Sequence, residues 1–234
     1  MSTWEPVAYL AALRAELELV DTALADVDWG APVAACPGWD VAQVVRHLGG
    51  VQRMVVQAIE AGTPSHSSRH APPDGTDLRE WLRAGGDRLL AALDGDPDAP
   101  AWSFDPRGGT LGWWRRRQAQ EHLVHRVDVE HALGGLSPIR PGLAADGVGE
   151  VVDVMIRLQR TWADLEVPHP ISLAATDTGD TWRLGPAGGE PVGTATGTAA
   201  DLLLALWKRA DLDTIELAGD TGAVRRVLEL ALTP

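Results

Sequence analysis

Apolar residues recur at steps of three and four over residues 4–26, where Trp4, Val7, Leu10, Leu13, Leu17, Val20 and Leu24 draw a single stripe. That period matches the helical repeat and predicts a helix packed on one side. Pro6 falls in its first turn, where a missing N–H costs nothing. Residues 29–38, with Pro32 and Pro37, predict a structured loop. Asp40 then reads as a helix N-cap, with Gln43 three residues on to complete a capping box. The stripe that follows is Val41, Val44, Leu48, Val51 and Val55. His47 lies at its edge, about 60° from Val44, where an imidazole can turn inward. By spacing alone it reads equally as a hydrogen-bonded histidine at the rim of the core.

The pattern lapses over residues 62–76, rich in Pro, Ser and Gly, and an exposed loop is expected there. His66 and His70 lie within it and read as surface residues. Asp77 caps a third helix running to Leu93, with Trp81, Leu82, Leu89, Leu90 and Leu93 as its apolar contacts. Residues 94–100 stop it, and residues 106–112 form a flexible lead, suited to a pocket mouth, into the helix expected over residues 113–133.

That helix carries the candidate chemistry. Trp114, Glu121, His125, Asp128 and Ala132 fall within about 40° of one direction. Charged and polar groups on an inward face must be paired or bind an ion. Glu121 and His125, four apart, stack on one face and can converge on a divalent metal. His122 with His125, three apart, is a second geometric possibility, but His122 points about 100° away from Glu121. His47 is the candidate third ligand, which would give the ligand count of a catalytic zinc with an open position. Asp128 is placed to accept a ligand's ring N–H and fix its tautomer. Mixed nitrogen and oxygen donors accept zinc or another divalent ion. The adjacent run Arg115-Arg116-Arg117 reads as a solvated helix flank.

Gly134-Gly135 end this helix, and residues 144–165 make another, with Val148, Val151, Val152, Met155, Leu158 and Trp162 expected inside. Long helices with short connections predict an up-and-down four-helix bundle, in which facing helices aim ligands into the core. After Val167-Pro168 the character changes. Strands are expected at 171–176, 181–184, 193–198 and 214–217, and helices at 201–208 and 223–230, with Thr178-Gly179-Asp180 turning a hairpin. The expected organisation is a metal-binding helical bundle over 1–167 and a small α+β domain over 168–234.

Composition narrows the function. A net charge of −13 disfavours a nucleic-acid surface, which needs clustered cations. Cys36, the single cysteine, excludes an intramolecular disulfide and an all-cysteine metal site, and it reads as a loop residue packed near Trp39 rather than a nucleophile. The N-terminus lacks a signal-peptide pattern and no apolar run suffices to span a bilayer, so a cytoplasmic location without membrane attachment is expected.

Two stretches carry a family resemblance: Cys36-Pro37-Gly38-Trp39 followed by His47-Leu48-Gly49-Gly50, and Glu121-His122-Leu123-Val124-His125-Arg126-Val127-Asp128 running on to Ala132-Leu133-Gly134. Together with Asp201 to Arg209 and Leu217-Ala218-Gly219-Asp220, they make the chain resemble the mycothiol-dependent maleylpyruvate isomerase family. The resemblance implies a DinB-like (YfiT-like) bundle with a small sterol-carrier-like C-terminal domain, and zinc at His47, Glu121 and His125. It also implies a catalytic or anion-binding arginine, for which Arg209 is the matching position, although Lys208 stands where a small residue is expected. The expected activity is isomerisation or S-transfer on a small electrophile, with mycothiol as cosubstrate and a metal-held thiolate as nucleophile. Two other readings remain: a hydrolase using zinc-activated water, and a non-catalytic metal- or ligand-binding protein.

Overall fold

The computed structural model describes residues 6–64 and 66–234. Trp4 of the first apolar stripe lies outside the described residues, as does the Val7 side chain. The chain divides into two compact units, one ending at Ser137 and the other spanning Pro138–Pro234.

The first unit is a four-helix bundle. Its helices are α1 (Pro6–Ala23), α2 (Val41–Ala61), α3 (Leu78–Leu93) and α4 (Leu111–Ala132). Helix α1 packs mainly on α4 and α2 mainly on α3, while α2 also crosses α4. Local chemistry sets where these helices begin. Asp40 and Gln43 close a reciprocal capping box at 2.8 Å in each direction. Asp77 accepts from the amides of Arg79 and Glu80, and Thr110 accepts from Trp113 N–H. Helix α2 ends at Gly62 with φ 64°, a left-handed cap that glycine adopts without strain.

One end of the bundle is filled by Val20, Leu24, Val33, Val41, Val44, Leu48, Leu82 and Val129, with Cys36 and Trp39 packed against them. Gly49 leaves room for the Trp81 ring, which a Cβ would approach to 2.1 Å. The loop expected over 62–76 contains a short 3-10 turn, Ser67–His70, seated where Gly50 lacks a side chain. The lead into α4 is partly ordered by a two-residue ladder of β1 (Pro100–Ala101) with β2 (Gly109–Thr110).

The second unit begins with α5 (Pro141–Glu150), which passes through a π-helical turn over Val151–Met155 into α6 (Ile156–Trp162). Its sheet comprises β3 (Ile171–Ala175), β4 (Thr181–Leu184), β5 (Gly193–Gly197) and β6 (Glu216–Gly219). The strand order is β4-β3-β5-β6, antiparallel except for the β3–β5 pair. Helices α7 (Ala199–Leu206) and α8 (Thr221–Leu228) pack on it, and α7 also packs on α5. The buried Gln159 side chain donates to the carbonyls of Ala231 and Thr233, fastening the C-terminal tail.

Two expectations change here. The helix expected over 144–165 belongs to the second unit, so the units divide after Ser137 and not near 167. An apolar stripe reports that a helix is buried on one side without reporting its partner. Trp162, expected inside, is 52% exposed at the last residue of α6. The architecture of a helical bundle with an α+β unit is otherwise the expected one. Among the described residues, no helix is long and apolar enough to cross a membrane.

Candidate metal centre

Helix α4 is buried almost all round, and several of its buried side chains are charged or polar. Burying so many polar groups is tolerable only if each meets a partner. Three sets of these partners bear on the candidate centre.

The first set is the candidate centre. Glu121 Oε1 lies 3.2 Å from His47 Nε2 and 3.4 Å from His125 Nε2. The three ligating atoms all lie within 4.8 Å of one another. Two ligands bound to one zinc at its usual bond lengths stand roughly 3.4 Å apart in a tetrahedral shell. The separations to Glu121 are already of that size, so the donor set fits a divalent ion with little movement. His125 Nδ1 lies 2.9 Å from Asp128 Oδ2. A carboxylate oxygen accepts, so Nδ1 carries the proton and Nε2 is the atom left for a ligand role. The His47 ring packs edge-on against His125, with centroids 4.9 Å apart, and lies 5.3 Å from the Trp39 ring. The His47 side chain is 29% exposed, which makes it the open side of the centre.

Electrostatics tie these groups together. Burial works against a charged Glu121, but hydrogen bonds to His125 and His47 and the nearby charges of His125 and Arg117 hold its pKa well below the usual carboxylate range. Burial likewise opposes a charged His125, yet Asp128 and Glu121 overcome it and raise the ring to about 9. Without a metal the ring is therefore cationic at neutral pH, and metal and proton compete for the same nitrogen.

The second set answers the alternative pairing. His122 is fully buried; its Nδ1–H donates to the Gln118 carbonyl at 2.8 Å, and its Nε2 accepts from Gln52 Nε2 at 3.1 Å. Both ring nitrogens are occupied, Nδ1 within α4 and Nε2 across to α2. Burial pushes this ring down to about 4, so it is neutral.

The third set overturns the solvated reading of the arginine run. Arg115 and Arg117 are buried. Arg115 donates to the carbonyls of Leu93, the last residue of α3, and of Gly95 just past it, while Arg117 Nη2 donates to Glu121 Oε2 at 2.8 Å. Arg117 is a site residue that the sequence reading passed over, though its spacing of four from Glu121 was the available signal. Cys36, read from the sequence as a loop residue packed near Trp39, joins Trp39 against the bundle core, and its Sγ also lies 3.7 Å from Asp128 Oδ2; nothing in the sequence joined Cys36 to Asp128.

Arg209 belongs to the second unit. Its Nη1 donates to the Trp207 carbonyl at 2.6 Å, and the guanidinium carbon lies 5.7 Å from the Trp207 ring centre. Lys208 before it has φ 60°, the left-handed region where a residue without Cβ is least strained, which is the physical content of the small residue expected there.

A helical bundle with two histidines and a glutamate converging from facing helices defines the class, a candidate mononuclear metal-site bundle joined to an α+β unit. The profile of the mycothiol maleylpyruvate isomerase N-terminal domain matches residues 10–130, and the chain belongs to that family. Among solved structures, that of the mycothiol-dependent maleylpyruvate isomerase aligns over 92% of this chain and 93% of its own, with a TM-score of 0.70 at 14% identity. A mutant of that isomerase aligns over the same shares with a TM-score of 0.67 and 14% identity. No curated protein matches the chain by sequence.

Proposed function

We propose that the protein is a thiol-dependent enzyme, in which His47, Glu121 and His125 hold a divalent metal, zinc in the first instance, and mycothiol serves as cosubstrate for isomerisation of, or S-transfer to, a small electrophile. The observation that carries this reading is the convergence of one ligand atom each from His47, Glu121 and His125 within 4.8 Å of one another. When bound, such an ion supplies the positive charge that turns a low-molecular-weight thiol into a thiolate at neutral pH. Asp128 holds the His125 proton on Nδ1 and so keeps Nε2 directed at Glu121. The exposed edge of His47 leaves the centre open to a small molecule. A thiolate that adds to a conjugated double bond and then leaves permits rotation about that bond, giving cis–trans isomerisation, whereas retention of the adduct gives S-transfer. For Arg209 we retain the role that the family resemblance implies, a catalytic or anion-binding group, and take anion recognition as the part to test first.

The test is turnover of maleylpyruvate by zinc-loaded protein with and without mycothiol. Turnover that requires the thiol and falls to background in His125→Ala supports the reading, and Arg209→Ala is expected to raise KM for the anionic substrate. Ester hydrolysis without any thiol would replace it with metal-assisted hydrolysis. Metal binding with no turnover would leave a binding protein.

A further inference from the structure

We infer that Arg117 is a positioning residue of the metal centre, pinning one oxygen of Glu121 so that the carboxylate offers the metal a single ligand atom. This rests on the metal reading above.

The two oxygens of Glu121 face different partners. Oε1 meets Nε2 of His47 and of His125, at 3.2 Å and 3.4 Å, while Oε2 accepts from Arg117 Nη2 at 2.8 Å. Side-chain exposure is only 4% for Arg117 and 16% for Glu121, so water does not loosen this charge-assisted bond. One helical turn separates the two residues, and the rigid α4 backbone sets their register. A carboxylate free of such a bond can swing to present both oxygens to a cation, and a second oxygen would take the position an incoming thiol needs. With Oε2 held, the protein supplies two nitrogens and one oxygen. The same bond sets the buried guanidinium against a buried carboxylate, so the arginine and the ligand stabilise each other. Lysine could supply the charge but not the fixed fork of donors, which separates the two by experiment.

The experiment uses the purified full chain loaded with zinc or cobalt(II), in the wild type, Arg117→Met, Arg117→Gln and Arg117→Lys, with folding checked by circular dichroism. Zinc affinity comes from chelator competition, and ligand number from zinc X-ray absorption and the visible spectrum of the cobalt form. Arg117→Met is expected to weaken zinc about 10- to 100-fold, in the range found when a partner of a metal ligand is removed. Its first shell should gain one oxygen, and the cobalt bands should weaken as coordination number rises. Arg117→Lys should recover part of the affinity. Wild-type affinity and an unchanged cobalt spectrum in folded Arg117→Met, or in Arg117→Gln should the methionine variant not fold, overturn the inference while leaving the metal reading intact. Loss of fold in every variant also overturns it, since Arg117 would then be purely structural. A wild type that binds neither zinc nor cobalt removes the metal reading itself.

Discussion

Helix α4 carries the same pair twice, an arginine followed four residues later by a glutamate, and the two copies come to different ends. Arg126 meets Glu130 through Nη1 and Glu16 through Nε at 2.6 Å, in an interior where the arginine is fully buried. Glu130 spends its remaining capacity on protein donors: Ser137 Oγ–H donates to Oε1 at 2.7 Å and Ser137 N–H to Oε2 at 2.9 Å. Its carboxylate is closed by its own chain. Glu121 also takes an arginine on one oxygen, but its other oxygen faces two histidine nitrogens beside a partly exposed His47. The first pair acts as a structural clasp and the second leaves an oxygen for an ion. What separates a clasp from a ligand is therefore what meets the second carboxylate oxygen, not the spacing of the pair.

The largest expected effect is on the clasp. Arg126→Met leaves Glu16 and Glu130 buried without their cation, and urea denaturation should show a loss of about 3–5 kcal/mol. A loss under about 1 kcal/mol, the range of exposed ion pairs, would mean that the clasp is not desolvated as described.

A smaller effect, confined to acid, is expected at His122. Its folded pKa of about 4 lies below the ordinary value of 6.5. Between those two pH values the unfolded chain binds a proton that the folded chain refuses, so stability falls as pH drops through that window. The sign follows from the proton inventory: the unfolded state holds more protons, so stability rises with pH. The full contribution is present above about pH 6.5 and is roughly 3 kcal/mol lower below about pH 4. His122→Gln should have a shallower dependence of urea stability on pH in that window, whatever its stability at pH 7. An unchanged slope would show that the ring does not resist protonation.

Much of the centre could be read from the sequence because the relations that build it are local or periodic. Glu121, His125 and Asp128 share a helix, and helical geometry alone stacks them. The capping box of Asp40 and Gln43 fixes the start of α2 and hence the direction in which His47 points. Relations set by tertiary packing were not legible. Arg115 reaches carbonyls at and just past the end of another helix, and Cys36 meets Asp128 across 92 positions of chain. Arg117 was misread for a different reason. A charge run implies solvent only when the helix has a solvent face, and α4, packed against α1 and α2, has little of one. The division after Ser137 was missed because the α5–α6 stripe is equally suited to a bundle or a sheet; only contacts decide.

The most direct test of the central claim is zinc stoichiometry and affinity, measured by calorimetric titration of the metal-stripped protein beside His47→Ala, Glu121→Ala and His125→Ala, each confirmed folded. The account predicts close to one zinc per wild-type chain and loss of that binding in all three variants. Zinc that binds equally well without these side chains, or a wild type that binds none, would contradict it.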